Sequence, residues 1–185
     1  YIFQAEPRTR SAPLLNDTRL AGHDPVSDNL FLISTTGRLY LWPAENLFIE
    51  ATTPAAAPSP LPIATVKSLS LAPNWVDNRT MAAVIESTEC PGGGQLFVMI
   101  NPASGWLPSP TGDDPSCESV VAVTFSPAYR QDSLLFAATL RPPAILRSLD
   151  TGRSWTAAES VFPEGTHFIA LLPSPGYASD QTIFA

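Results

Sequence analysis

The chain has 185 residues, of which 44% are apolar and 15% charged, and this composition excludes an intrinsically disordered tail. Ten basic residues face seventeen carboxylates, and the resulting net charge of −7 does not suit binding to nucleic acid or to an anionic membrane. No apolar run approaches the roughly 18 residues needed to cross a bilayer, so membrane insertion is not expected either. The 20 prolines and 10 glycines disfavour long helices and favour short strands joined by turns. The chain begins at Tyr1 without a charged and apolar leader, so any signal peptide is expected to lie outside this sequence.

A repeat of about 50 residues organises the chain, and its clearest copies begin at Ser126 and Ser174. Both copies read Ser-Pro-x-Tyr-x-x-Asp and lead into an apolar segment that contains Phe-Ala. A third copy begins at Ala72, with Trp in place of Tyr and Asn in place of Asp, and a weaker fourth copy precedes it. The anchor residues that end these four segments are spaced by 50, 54 and 48 residues: Asp28, Asn78, Asp132 and Asp180.

Apolar segments recur at fixed positions around each anchor and predict four strands per repeat. One strand precedes the anchor in ATVKSLSL, SVVAVTF and HFIALL, and a second strand follows it in NLFLIST, TMAAVIE and LLFAATL. A third strand lies in GRLYLW, GQLFVMI and AILRSL, and a shorter fourth strand begins near Ile49, Trp106 and Trp155. Four short antiparallel strands in such a repeat are typical of a propeller blade. The predicted fold is therefore all-β, a β-propeller of four-stranded antiparallel blades with about 3.5 blades present.

The repeat also predicts the organisation of the chain. An N-terminal strand or edge segment at 1–21 precedes units at 22–71, 72–125 and 126–173, and a fourth unit starts at 174–185. Propellers close with about four to eight blades, and fewer blades leave strand edges unpaired. We therefore expect either a piece of a longer chain, which we favour, or completion of the open edges by another copy.

In the third unit, the segment Ser-Leu-Asp-Thr-Gly-Arg-Ser-Trp resembles the Asp-box of the sialidase-like propellers, also called bacterial neuraminidase repeat proteins. The Ser-Pro-x-Tyr-x-x-Asp segments resemble the linker before the second strand in bacterial members of that group. The resemblance extends over nearly the whole chain and implies a structural turn, remote from any catalytic centre, between the third and fourth strands. The residues of this turn are Ser148, Asp150, Gly152 and Trp155.

Loops in an up-and-down blade alternate between the two faces of the disc. The linkers and the Asp-box turn therefore share one face, while the two-to-three loops and the blade-to-blade connections share the other, where binding is expected. Cys90 and Cys117 both fall on this second face and in the same blade. We predict a disulfide between them, with two separate loop thiols as the alternative, and a secreted or cell-surface location.

No catalytic residue, metal site or cofactor is predicted. The Arg-Ile-Pro signature of sialidases is missing, so none of their catalytic residues is carried over to this chain. The adjacent carboxylates Asp113 and Asp114 are more typical of a solvated turn than of acid–base catalysis or a calcium site. His23 and His167 stand alone, and the glycine-rich segment at 91–95 enters a strand without the Lys-Ser/Thr of a phosphate loop.

The four tryptophans are candidates for a carbohydrate platform, but most of them occupy strand or repeat-equivalent positions and are expected to pack between blades: Trp42, Trp75, Trp106 and Trp155. We interpret the chain as a non-catalytic scaffold that binds through its two-to-three and blade-to-blade loops. Its expected partners are a protein or further copies that complete the open edges, with carbohydrate as another candidate. The alternative is a fragment of a propeller glycoside hydrolase whose catalytic residues lie partly outside this chain. A third candidate is an assembly factor like the photosystem-assembly propellers, which this repeat also resembles.

Overall fold

The computed structural model describes residues 18–24, 29–34, 39–42, 49–50, 66–78, 80–86, 92–101, 104–112, 118–158 and 162–185. The described residues form four antiparallel sheets, and within each sheet the hydrogen-bonded neighbours follow the order of the sequence. Three of the sheets have four strands and the last has two.

The first sheet consists of β1 (Thr18–Asp24), β2 (Asn29–Ser34), β3 (Leu39–Trp42) and β4 (Ile49–Glu50). The second consists of β5 (Val66–Leu71), β6 (Met81–Glu86), β7 (Gly94–Met99) and β8 (Leu107–Pro108), with the one-turn helix α1 (Trp75–Asn78) after β5. The third consists of β9 (Val120–Phe125), β10 (Leu135–Leu140), β11 (Pro143–Ser148) and β12 (Thr156–Ala157), with α2 (Tyr129–Asp132) after β9. The fourth consists of β13 (Leu172–Pro173) and β14 (Ile183–Phe184), separated by α3 (Tyr177–Asp180).

The first strands of neighbouring sheets lie side by side, since β1 contacts β5, β5 contacts β9, and β9 contacts β13. This arrangement turns the inner edge of each sheet towards a common axis, as in propeller blades. The predicted all-β fold of four-stranded antiparallel sheets is confirmed.

The second strand of the third sheet, β10, is a continuous apolar run. On β10, Leu135 and Ala137 belong to the core shared with the second sheet, whereas Phe136 and Ala138 belong to the core shared with the fourth. All four side chains are buried. Because successive side chains of a strand point to opposite faces, a strand covered on both sides needs apolar residues at every position.

The strand predicted over His167–Leu172 is largely wrong, because only Leu172 of that segment lies in β13. In the second and third sheets the first strand pairs along a six-residue second strand. The second strand of the fourth sheet, β14, has two residues, which pair with Leu172 and Pro173. The residues before Leu172 therefore have no ladder partner in the fourth sheet as described.

The sheets run from a first to a fourth strand, whereas the predicted units are divided near the anchors. Each predicted unit therefore contains the first strand of the following sheet: β5 lies in the unit 22–71, β9 in 72–125 and β13 in 126–173. Of the predicted N-terminal segment, residues 1–17 lie outside the described part of the chain.

Candidate functional site

The anchor aspartate of the third sheet closes the linker between the first and second strands. Asp132 accepts a hydrogen bond from the Ser126 hydroxyl at 2.6 Å through Oδ2, and from the Leu134 N–H at 2.9 Å through Oδ1. Ser126 Oγ also accepts the Ala128 N–H at 3.1 Å. The serine and aspartate of the repeat thus bind both ends of one turn, and this explains their fixed spacing.

The fourth sheet repeats this network almost distance for distance. Asp180 accepts the Ser174 hydroxyl at 2.6 Å and the Thr182 N–H at 2.9 Å, and these bonds lower the pKa of the Asp180 carboxyl. In the second sheet, where Ala72 replaces the serine, the backbone bond from the Ala72 N–H to the Thr80 oxygen is kept at 3.1 Å. The side chains therefore reinforce a turn that the backbone also forms without the serine.

Replacing Asp132 with alanine removes two hydrogen-bond acceptors from this linker. We expect the free energy of unfolding to fall by about 1–2 kcal/mol, measured by urea denaturation followed through tryptophan fluorescence. D77A is the matched control, because Asp77 is exposed and makes a 3.9 Å ion pair with Arg130, and its loss should stay below about 0.5 kcal/mol. Equal losses in the two variants would contradict the structural role of Asp132.

The turn between β11 and β12 is built around Asp150. Its Oδ1 accepts the Ser148 hydroxyl at 2.8 Å and the N–H groups of Arg153 and Ser154 at 3.0 and 2.8 Å, and its Oδ2 accepts the Ser154 hydroxyl at 2.7 Å. Desolvation opposes ionisation, but the hydrogen bonds from Ser154, Ser148 and Arg153 outweigh it and lower the pKa of Asp150 to about 2. The ionised carboxylate therefore stabilises this turn at neutral pH. That contribution is lost as the pH falls through the folded-state pKa.

The same turn is attached to the second sheet through Ser109, a buried residue just after β8. The Ser109 hydroxyl donates to the Gly152 oxygen and accepts the indole N–H of Trp155 at 3.0 Å. Within the third sheet, the Tyr129 hydroxyl bonds to Thr151 Oγ1 at 3.1 Å, so the linker and the turn lie together. We call the surface formed by the linkers α1, α2 and α3 and by residues 148–155 the turn face.

The opposite surface is organised by the segment that leads into β9. A Cβ on Gly93 would lie 2.5 Å from Ser119 Cα, so this glycine allows the loop between β6 and β7 to approach the backbone there. Ser119 Oγ accepts the Arg141 N–H at 3.0 Å and donates to the Arg141 oxygen at 3.1 Å. The two-to-three loops of the second and third sheets thus meet at Glu118 and Ser119. We call this surface, formed by residues 92–93, 111–112, 118–119 and 141–142, the loop face.

A cavity of about 370 Å³ lies between the first strands of the second, third and fourth sheets, and its lining consists of residues 67–71, 121–124 and 169–172. Lys67, Val121 and Ile169 occupy equivalent repeat positions in this lining. The pairing register shifts at Lys67 in β5 and at Val121 in β9, as in a β-bulge. Lys67 Nζ bonds to the Gly92 oxygen at 2.9 Å and lies 3.7 Å from Glu86 Oε1, so the charged group at this cavity already has partners.

Several predicted residues lie outside the part of the chain that the structure describes: Asp28, Cys90, Asp113, Asp114 and Cys117. The predicted disulfide therefore stays a prediction. Asn78 ends α1, and His23 lies in β1, while His167 is exposed. Among the described residues there is no group of three or more His, Cys, Asp and Glu side chains arranged to hold a metal ion.

The tryptophans with described side chains are at least partly covered. Trp75 is buried with Met81 and Met99, Trp106 packs on the same core, and Trp155 packs partly buried against the core between the second and third sheets. Trp42 lies in β3. None of the helices in the described ranges has the length and apolar character of a membrane-spanning segment.

The long-range hydrogen bonds of Ser109 and Glu118 were not predicted from the sequence. Ser109 contacts residues 43 and 46 positions away, and Glu118 contacts Leu96, 22 positions away. Neither residue belongs to a repeated pattern, so no sequence signal identified them.

Solved structures that resemble this chain are β-propellers. The GH74 xyloglucanase from Xanthomonas campestris matches 84% of this chain and 25% of its own, with a TM-score of 0.55 and 19% identity. The WD40 repeats of RRP9 match 87% of this chain and 46% of their own, with a TM-score of 0.51 and 14% identity. YCF48 from Cyanidioschyzon merolae matches 80% of this chain and 42% of its own, with a TM-score of 0.49 and 16% identity.

The chain thus spans about a quarter of the xyloglucanase and less than half of the other two proteins. No protein-family model and no curated protein matches it. At such low identity the first two likenesses establish the fold and not the function. The sheets of this chain are blades of a β-propeller.

Proposed function

We propose that the protein is a non-catalytic β-propeller scaffold that binds another polypeptide. The observation that carries this proposal is that four described carboxylates accept backbone N–H groups and so serve as structural acceptors: Glu118, Asp132, Asp150 and Asp180. Glycoside hydrolysis needs two carboxyl groups about 5–10 Å apart that face the substrate. Carboxylates committed to turns and loop ends do not meet that requirement.

An apolar patch on β13 and β14, together with Ile169 just before β13, supports a polypeptide partner. Ile169, Leu172 and Phe184 are 98%, 60% and 63% exposed, and Leu172 and Phe184 pair across β13 and β14. Phe136 occupies the position in the third sheet that Phe184 occupies in the fourth. The side chain of Phe136 is only 1% exposed, because the fourth sheet covers it. A sheet of a second copy of this chain fits the patch in the same way.

Charged substitutions in this patch test the proposal. We expect the wild-type protein to associate with increasing concentration in sedimentation velocity, and L172D or F184D to shift it towards the monomer, since a charge cannot be buried there without a partner. R153D, on the exposed part of the turn face, is the matched control and should leave association unchanged. A panel of aryl glycosides and polysaccharides should remain unhydrolysed. Hydrolysis that is lost on substitution of a carboxylate would overturn the scaffold role.

Membership of the sialidase-like family and a location outside the cytoplasm are further parts of the proposal. The hydrogen bonds of Asp150 and the positive φ of Gly152 support the first, since both belong to the structural turn that the Asp-box resemblance implies. The second rests on the predicted pair Cys90 and Cys117. A thiol assay on the unreduced, denatured protein should find no free thiol, and two free thiols would contradict the disulfide.

A further inference from the structure

Glu118 is a buried carboxylate, 6% exposed, at the end of the connection between the second and third sheets. Its Oε1 accepts the Thr111 N–H at 2.7 Å and its Oε2 accepts the Leu96 N–H on β7 at 3.3 Å. Removing a charged carboxylate from water is costly, so an ionisable residue here calls for a reason beyond packing.

These two hydrogen bonds hold together the two ends of the connection. The bond to Thr111 joins the two ends of the segment 111–118, and the bond to Leu96 holds them on β7. The Leu96 oxygen accepts the Ser109 N–H at 2.8 Å, so the carboxylate satisfies the remaining polar group of a residue at the end of the β7–β8 ladder. Glu118 therefore links this part of the loop face to the second sheet.

We propose that Glu118 is a proton-operated latch, which holds the base of the 111–118 connection while ionised and releases one of its two amide bonds when protonated. An ionised carboxylate offers only acceptors, so both of its oxygens can receive N–H groups. In the protonated acid the oxygen that carries the hydrogen becomes an O–H donor and a much poorer acceptor, so the N–H bond to that oxygen is released. The latch concerns the shape of the loop face and does not depend on what the scaffold binds.

The surroundings favour such a response to acid. Burial raises the pKa of Glu118, against the opposing effect of the bonds from Thr111 and Leu96. The charged groups described on neighbouring elements are Lys67 on β5, Glu86 on β6 and Arg141 after β10. Lys67 is engaged with Glu86 and with a loop oxygen.

The direction of this pKa shift has opposite consequences for the global stability and for the local hydrogen bonds of Glu118. Because the folded-state pKa lies above the unfolded-state value, the contribution of this group to global stability is full below the unfolded-state pKa and lost as the pH rises through the folded-state pKa. Acid should therefore stabilise the fold through Glu118 while it loosens the loop base.

Amide hydrogen exchange of Thr111 and Leu96, measured by NMR across the acid range and corrected for intrinsic exchange, tests the latch. In the wild type we expect one of the two amides to exchange about tenfold faster below the transition, the change that follows from losing one hydrogen bond. E118Q, which presents an N–H donor at every pH, should exchange fast throughout. E86Q is the matched control and should behave like the wild type.

Exchange that is unchanged across the range, or a transition that persists in E118Q, would overturn the latch. Should E118Q fail to fold, the wild type alone remains decisive. The carboxyl carbon of Glu118 and the amide of Thr111 should then titrate with one shared midpoint, and separate midpoints would refute the coupling.

Discussion

Replacing Gly152 with alanine is expected to lower the free energy of unfolding by about 2–4 kcal/mol, because backbone strain and overpacking add at this position. Gly152 has a φ of +83°, where a residue with a Cβ is strained. The added Cβ would also lie 2.8 Å from Ser109 Oγ and 2.9 Å from Val98 Cγ2, both in buried residues. Ser109 cannot rotate away without losing its bond to Trp155.

G165A separates the two causes. Gly165 also has a φ of +83°, but a Cβ there would meet nothing within 4 Å. We expect this variant to lose about 1 kcal/mol, from backbone strain alone. Urea denaturation followed by tryptophan fluorescence measures both variants. Equal losses would show that the contact between Gly152 and the second sheet contributes nothing.

The position of Gly152 also changes the interpretation of its turn. The sequence resemblance describes a device that closes the hairpin between two strands of one sheet. In the structure, Ser109 bonds to both the Gly152 oxygen and the Trp155 indole, and so it joins this hairpin to the sheet before it. The turn therefore holds neighbouring blades together, in addition to closing its own hairpin.

The sequence predicts what depends on local pattern. The segments TMAAVIE and LLFAATL become β6 and β10, because strands covered on both faces need long apolar runs. The bonds of Asp150 reach only two to four residues along the chain, so the local order of residues is enough to indicate the structural turn.

What the sequence could not predict depends on contacts between distant segments. The carboxylate of Glu118 accepts the N–H groups of Leu96 and Thr111, which are distant from it in sequence, and no periodicity encodes that meeting. The segment before Leu172 has the alternating pattern of a strand, but β14 pairs only with Leu172 and Pro173, the two residues of β13. A strand requires a ladder partner as well as a suitable pattern.

Replacing Phe136 with alanine is expected to cost about 3–5 kcal/mol, because it leaves a large cavity between the third and fourth sheets. The ring lies edge-on to Tyr177, with the centroids 4.9 Å apart, and it shares a core with Leu171. F184A is the control supplied by the repeat, since Phe184 holds the equivalent position but is 63% exposed. Its loss should stay below about 1 kcal/mol in denaturant unfolding of the monomer. If F184A costs as much as F136A in the monomer, Phe184 is covered within the chain itself, and the exposed apolar patch on the fourth sheet would not exist.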